Sequence, residues 1–282
     1  MNRLRLAIVG FGRLGQACAQ ALREAPELEL AGVVRRARGA LPHPFEHVPV
    51  AGHPRELERA AIALVCVPAR ATLEVARELL QQRLPLVECA ALEGGALAAH
   101  HRALSEAAHR HRVPAVIGAG WEPGALPLLR RVFETLIPRG RTETSTHPGV
   151  TLHRTAALEQ VAGVAAALAC ERRADDGHPQ RYLYVQLARG ASLAEVDRRV
   201  RADPLYAGDE TALFQVDDVA ALEAAASGIV LERRGSGEAE AHQSLLLEAR
   251  FDAACFAARV MLDAARQLPQ LRPGAHAWLP RA

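Results

Sequence analysis

Lysine is absent from this chain. All 34 basic side chains among its 282 residues are arginine, and asparagine occurs once, as Asn2. The codon bias of a GC-rich genome accounts for both, because Arg and Ala have GC-rich codons while Lys and Asn do not. The chemical consequence holds whatever the cause. A Schiff-base lysine, a phosphate-loop lysine and a lysine base are all excluded, so any cation in an active site is Arg or a protonated His. The five cysteines (Cys18, Cys66, Cys89, Cys170 and Cys255) are scattered, without the close pairs of a zinc site. They read as reduced core residues of a cytosolic protein, and no metal is expected. No apolar run reaches the ~18 residues that span a bilayer. A strand begins within a few residues of the N-terminus, so no signal peptide is evident. A formal net charge of +2, with both signs interspersed, argues against a dedicated nucleic-acid or membrane-surface binder. The expectation is a cytoplasmic protein whose partner is a small molecule.

What is present is a regular alternation of strand and helix. Leu4 to Val9 is a short apolar run ending in Gly10-Phe11-Gly12-Arg13-Leu14-Gly15. A helical stretch (16–24) and a second strand (28–34) complete a βαβ opening. Strand 61–67 is stopped by Pro68, and helix 71–82, strand 85–89, helix 97–112 and strand 113–117 follow. Such alternation predicts a parallel sheet covered on both faces. The pattern changes after Gly118-Ala119-Gly120-Trp121-Glu122-Pro123-Gly124. Helices are expected at 125–136, 155–168 and 192–202, and strands at 141–145, 181–187, 228–233 and 242–248. A last helix spans 252–267, ending before Pro269. This second part reads as an α+β domain with antiparallel character. His100, His101, His109 and His111 share one predicted helix without the i, i+4 spacing of a metal pair, and read as a solvated face.

The glycine loop carries the strongest local signal. Gly10 permits the tight turn, Gly12 lets the backbone approach a pyrophosphate, and Gly15 allows close helix–strand packing. The helix N-terminus supplies amide donors and a partial positive charge. The motif follows a predicted strand and opens a helix inside a βαβ unit, the context that gives it meaning. Cofactor-binding residues are therefore expected at Gly10, Phe11, Gly12, Arg13, Leu14 and Gly15, and at Cys66-Val67-Pro68 after the third strand. In dinucleotide sites an acid ~20 residues further on reads the ribose of NAD. Here the second strand ends in Val33-Val34-Arg35-Arg36-Ala37-Arg38, with no acid. Arg35 and Arg36 suit the 2′-phosphate of NADP, which guanidinium groups bind with bidentate charge-assisted bonds. The competing reading is a solvated arginine run.

The loop, the Arg35-Arg36 pair, Gly-Trp-Glu-Pro-Gly at 120–124 and Gly274-Ala275-His276 occur in the order found in meso-diaminopimelate dehydrogenases, and the chain resembles that family over nearly its whole length. The resemblance implies a Rossmann fold, a doubly wound parallel α/β sheet, with a second α+β substrate and dimerisation domain. It places an NADP-binding domain at 1–121, the second domain at 122–249, and a C-terminal helix and tail at 250–282 returning to the first. It also implies a homodimer. Trp121, Pro123 and Gly124 match the family's Trp-Asp-Pro-Gly element, with Glu122 in place of its acid. Arg181 falls where the family has an arginine that holds a substrate carboxylate. The family's Ser-Gln-Gly-His-Ser pattern, in one wall of the substrate site, has become Thr151-Leu152-His153-Arg154-Thr155. Its Val-Asp-x-Phe/Tyr-Asp segment has become Val87-Glu88-Cys89-Ala90-Ala91, so its second acid is missing. The family's substrate-binding histidine near Gly228 also finds no counterpart. Because an unpaired buried charge costs several kcal/mol, these departures point away from diaminopimelate itself. Glucose–fructose oxidoreductase-like enzymes share the two-domain plan but need the lysine of Glu-Lys-Pro; here that tripeptide reads Glu88-Cys89-Ala90.

The implied reaction is reversible oxidative deamination of an amino acid or related amine, with hydride passing between its Cα and nicotinamide. Arg181 is the candidate for the substrate carboxylate, with Arg154 and Arg250 behind it; Gly124 and His153 are further substrate-binding candidates. Glu122, at the domain junction after Trp121, is the leading group for binding ammonium and relaying protons; the competing reading is a helix cap. Glu88, at the end of another parallel strand, is the second candidate. Trp121 stacks on substrate or nicotinamide, or is simply core. His147 and His153 could shuttle protons. Two alternatives stand beside this reading: an NADP-dependent enzyme for another small carbonyl, imine or hydroxyl substrate, and a non-catalytic NADP-binding sensor.

Overall fold

A computed structural model describes residues 3–36, 39–57, 60–92, 94–147, 149–173, 179–206, 210–225, 228–236 and 242–280. The chain begins with β1 (Leu4–Val9), α1 (Arg13–Arg23), β2 (Leu28–Val34), β3 (Val50–Ala51), β4 (Ile62–Val65), α2 (Ala69–Gln81), β5 (Leu86–Glu88), α3 (Gly94–His111) and β6 (Pro114–Ile117). A π turn at Trp121–Ala125 leads into α4 (Leu126–Leu136). Next come β7 (Gly140–His147), β8 (Gly149–Val150), α5 (Leu152–Leu158), β9 (Val164–Arg173) and β10 (Pro179–Leu187). They are followed by α6 (Leu193–Ala202), β11 (Glu210–Gln215), α7 (Val219–Ala225), β12 (Gly228–Gly235) and β13 (Ser244–Arg250). Finally α8 (Ala253–Gln267) and β14 (Gly274–Ala277) close the chain. Two compact units result: residues 1–127 with 254–282, and residues 128–253.

In the first unit, seven parallel strands take the order β14-β6-β5-β4-β1-β2-β3. Near-continuous apolar runs are what a sheet buried on both faces requires, and alternate residues sort to opposite faces. Leu6, Ile8, Leu64, Val87 and Val116 pack with Cys18 and Leu22 of α1 and Met261 and Ala265 of α8. Ala7, Val9, Ala63, Val65 and Ala115 face the other way, onto Ala76, Leu79 and Leu80 of α2 and Leu104 of α3. From β1 the chain runs outward to β2 and β3, then returns to β4 and runs the other way. The order thus reverses between β1 and β4, and ligands of such sheets bind outside the strand ends at that switch point. The expected doubly wound sheet with a second domain of different character is borne out.

The second unit holds a four-stranded sheet, β11-β10-β9-β8, and an antiparallel three-stranded one, β13-β12-β7. One expectation is corrected here. The stretch 155–168 is not one helix: α5 ends at Leu158, and Val164–Arg173 is strand β9, antiparallel to β10. Gly163, at φ +100°, turns the chain between them. Ala167 and Ala169 then lie buried against Leu158, Leu183 and Val196. Alanine's helix preference is only a few tenths of a kcal/mol per residue, less than burial and a full ladder of strand hydrogen bonds supply. The short strands β3, β8, β11 and β14 and helix α7 carry no pattern strong enough to be read beforehand.

A Cβ at Gly163 would lie 3.2 Å from both Ala191 Cβ and Val196 Cγ2, at a backbone angle that L-residues avoid. Gly163→Ala is expected to destabilise the protein by about 1–3 kcal/mol. Urea unfolding checks this; an unchanged midpoint would contradict the assigned turn.

Candidate active site

The three loop glycines do three different things. Gly10 has φ +95°, and a Cβ there would stand 2.4 Å from the Cys66 carbonyl oxygen. At Gly15 a Cβ would stand 2.2 Å from the Gly10 carbonyl oxygen and 3.3 Å from Ile8 Cγ2. At Gly12 it would meet nothing within 4 Å. Two glycines therefore press the start of α1 against the ends of β1 and β4, and the third leaves the loop open to an approaching group. The first i→i−4 bond of α1 runs from Gln16 N–H to Gly12 O, and no acid occupies its first turn. The opening amides of such a helix point outward, with a positive dipole end behind them. This backbone fits a pyrophosphate. Around it, Phe11 packs edge-on against Phe45, with ring centres 5.9 Å apart. Arg13, Leu14 and Val67 are half-buried, and Pro68 precedes α2 as its cap residue. Cys66 is buried with its sulfur 3.8 Å from that of Cys18.

The arginine pair divides its labour. Arg35 is half-buried, and its Nη2 donates to the carbonyls of Gly39 and Ala40, bracing its own loop. Arg36 is exposed at the end of β2. Ala37 and Arg38 lie outside the described residues.

Glu88 is fully buried at the end of β5. Its carboxylate accepts hydrogen bonds from the Ala90 amide (2.7 Å) and the Gly118 amide (2.9 Å). Its main-chain oxygen accepts from Ala119 at 2.8 Å. The residue expected as a catalytic acid thus clamps the segment that leads to Trp121. His100 lies beside it, 4 % exposed, with Nε2 3.5 Å from Glu88 Oε2. The expected solvated histidine face is corrected for this residue, because it shares the inward face of α3 with the buried Leu104 and Ala108. Cys255 likewise departs from the core reading and is exposed.

Beyond Gly118 (φ +71°) the chain folds tightly on itself. Ala125 N–H donates to Gly120 O at 3.0 Å, the bond of a π turn, a geometry frequent at functional sites. Gly124 is buried, and a Cβ there would sit 2.5 Å from the Gly118 carbonyl oxygen. Trp121 is half-buried and meets Phe256 edge-on at 5.1 Å, while Glu122 is exposed.

The second unit brings together residues that lie far apart in sequence. Arg154 on α5 and Arg181 on β10 are each 6 % exposed. Arg181 stands directly across the β9–β10 ladder from Glu171. The Glu171 oxygen Oε2 lies 3.7 Å from Arg154 Nη1 and 3.6 Å from Arg181 Nε. Arg154 Nε donates to His153 Nε2 at 3.3 Å, and the Tyr206 hydroxyl donates to the Arg154 carbonyl at 2.7 Å. Burial, and then the charge of Arg154, push the His153 pKa down from 6.5 to about 4. Glu171 and Tyr206 were not foreseen. Glu171 interrupts an alanine-rich run, a signal that becomes legible only once 164–173 is a strand. The side chains of His147 and Arg250, the other candidates here, lie outside the described residues.

Among the described residues no group of three or more His, Cys, Asp or Glu is gathered as a metal would need, and no helix is long and apolar enough to cross a membrane. Sheet order and glycine loop together define a dinucleotide-binding α/β protein with an appended α+β unit. The chain belongs to the meso-diaminopimelate D-dehydrogenase family, as the residue patterns imply. It is 32 % identical over 278 residues to the meso-diaminopimelate D-dehydrogenase of Bacteroides fragilis, covering 98 % of this chain and 92 % of that one. No protein-family model matches. Among solved structures, an engineered D-amino acid dehydrogenase bound to NADP+ superposes with a TM-score of 0.80, at 20 % identity over 100 % of this chain and 95 % of that one. The C. glutamicum diaminopimelate dehydrogenase in complex with diaminopimelate gives 0.76, at the same identity and coverage. Both share the fold.

Two outcomes are expected from this geometry. Glu88→Leu strips two buried amides of their acceptor and is expected to cost about 3–5 kcal/mol; an unchanged melting temperature would contradict the clamp. His153 stays neutral when folded down to about pH 4, whereas its unfolded pKa is 6.5. Between these values the unfolded chain binds the extra proton, so stability falls as pH falls through the window, by up to about 3 kcal/mol. Chemical denaturation against pH is expected to show this slope in the native protein and a flatter one in His153→Gln.

Proposed function

We propose that the protein is an NADP-dependent dehydrogenase acting on CH–NH2 donors, converting an amino acid reversibly to its oxo acid and ammonia. The observation that carries this reading is the relationship to a meso-diaminopimelate D-dehydrogenase along 98 % of the chain. The open backbone at Gly12 supports it, as does the pair of buried arginines in the second unit.

Bound NADP supplies the acceptor for the hydride of the substrate's Cα. In this reading the Gly10–Gly15 loop and the first amides of α1 hold the pyrophosphate, with Cys66, Val67 and Pro68 bordering it. Arg36 pairs with the 2′-phosphate, while Arg35 holds the loop in shape. Arg181 and Arg154 supply the positive charge that a substrate carboxylate needs. The exposed Glu122 receives the ammonium group and its proton, Trp121 gives an apolar surface against which water is excluded, and Glu88 acts as a positioning residue for both. The first unit is thus the cofactor domain and the second the substrate domain.

We also assign the protein to the cytoplasm, and its second unit to homodimer formation. Val132 and Leu136, one turn apart on α4, are 51 % and 61 % exposed, and Leu246 on β13 is 66 % exposed. Such apolar surface suits a partner copy.

Absorbance at 340 nm with NADP+ and a panel of amino acids, and with oxo acids plus ammonia and NADPH, tests the reading directly. Turnover on at least one pair is expected. Tight NADPH binding with no turnover on any member would instead fit a binding-only protein. For the cofactor, Arg36→Ala is expected to weaken NADPH binding about 10- to 100-fold and leave NADH nearly unchanged. Equal losses for both, measured by fluorescence titration, would remove Arg36 from the 2′-phosphate.

A further inference from the structure

We propose that Trp278 and Asp263 are positioning residues for the chemical step: they hold the Trp121–Ala125 turn from the C-terminal tail, and so keep Glu122 where it receives the substrate's ammonium group and proton. This assignment rests on the dehydrogenase reading above and adds two residues to its machinery.

A Cβ on Gly124 would stand 2.5 Å from the Gly118 carbonyl oxygen on one side and 3.5 Å from Cε3 of Trp278 on another. The indole therefore covers the turn at van der Waals range. Strand register explains how it gets there. β14 pairs in parallel with β6 as far as Ala277 opposite Ile117, so the next residues, Trp278 and Gly118, leave the sheet at the same level. Gly118 starts the path into the turn, and Trp278 lies against its far end. Trp278 and Phe256 both pack on the core that α8 shares with the sheet.

The indole is itself tied down. Its Nε1–H donates to Asp263 Oδ2 at 2.8 Å. Gln267 Nε2 donates to the same oxygen at 2.8 Å and to the Leu279 carbonyl at 2.9 Å. An indole nitrogen can only donate, and a carboxylate acceptor gives a stronger bond than a neutral one. Leucine or phenylalanine at 278 could fill much of the same space but would not be tied. Phe256, Val260, Asp263 and Gln267 follow at helical spacing, so they share one stripe of α8. From that stripe Phe256 meets Trp121 edge-on, with ring centres 5.1 Å apart. One helix thus holds the turn at two points, at Trp121 through Phe256 and at Gly124 through Asp263 and Trp278. Glu122 lies between these points, and its main chain is fixed from both ends. Proton transfer is sensitive to displacements of about 1 Å. Cutting the tie lets the turn shift while every group assigned to the cofactor stays in place, so turnover suffers and cofactor affinity does not.

The test compares Asp263→Leu, Asp263→Asn, Trp278→Leu and Trp278→Phe with the native protein, on the amino acid turned over in the 340 nm panel. kcat, KM and NADPH binding by calorimetry are measured for each. The chain has two tryptophans, Trp121 and Trp278, so a substitution at 278 leaves Trp121 as the sole indole, and acrylamide quenching of its fluorescence reports on the turn without reference to activity. Asp263→Leu and Trp278→Leu are each expected to lower kcat about 10- to 100-fold and to leave NADPH affinity nearly unchanged. Asp263→Asn keeps an oxygen that accepts the indole N–H and is expected to recover most of the loss. Trp278→Phe keeps a flat ring on Gly124 without the N–H and is expected to fall between native and Trp278→Leu. Acrylamide is expected to quench Trp121 more readily in Trp278→Leu than in Trp278→Phe. Native kcat in Asp263→Leu, Asp263→Asn no better than Asp263→Leu, equal losses in kcat and NADPH affinity, or equal quenching in the two Trp278 variants would overturn the proposal while leaving the dehydrogenase reading intact. If the leucine variants do not fold, Trp278→Phe decides, and native kcat there overturns it. A native protein that turns over no amino acid would overturn the dehydrogenase reading, and the positioning role with it.

Discussion

The start of α1 lies so close to the strands beneath it that one added carbon would not fit. A methyl group on Gly15 would reach 2.2 Å from the Gly10 carbonyl oxygen, and one on Gly10 would reach 2.4 Å from that of Cys66. This contact ties β1, α1 and β4 together at the point where the strand order reverses. The outward-facing amides, the open approach over Gly12 and the alignment of β4's end with the loop all depend on it. A dinucleotide cradle made of backbone needs such an approach, because side chains would hold the phosphates away. The absence of lysine sharpens the design, since no ammonium group can substitute for these amides.

A second clamp works one strand further along. Glu88 spends its carboxylate and its carbonyl on three amides of the main chain, and so fixes the path from β5 and β6 into the Trp121 turn. A residue in that position looks catalytic in a sequence, since strand ends in such sheets commonly carry chemistry. Its full burial and its backbone partners make it a brace. The residue left exposed by that brace is Glu122, which is why the proton-handling role passes to it in the proposed mechanism.

How much was legible follows from how far each signal reaches along the chain. The first unit is written in local terms: doubly buried apolar runs, a glycine triplet and regular spacing. Strands β1, β2, β4, β5 and β6 fall within two residues of expectation, while the short edge strands β3 and β14 do not show in the pattern. The second unit is written in long-range terms. The stretch 155–168 is rich in alanine and reads as helix until the partner of strand Val164–Arg173 is known. Arg181 was picked out by resemblance, but its counter-ion Glu171 becomes its neighbour only through the β9–β10 register. Likewise nothing in Arg35-Arg36 tells which guanidinium turns back onto its own loop, and the burial of His100 depends on the rotation of α3 about its axis. Patterns within one element were readable; pairings between elements were not.

The central claim is that this chain moves hydride from the Cα of an amino acid to NADP+. Its most direct test is isotope transfer. The protein is incubated with NADP+ and an amino acid deuterated at Cα, chosen as the one turned over in the panel, in ordinary water, and the reduced cofactor is weighed by mass spectrometry. The account predicts NADPH carrying one deuterium in proportion to the oxo acid formed. Reduced cofactor without deuterium, or oxo acid formed without reduction of NADP+, would contradict it.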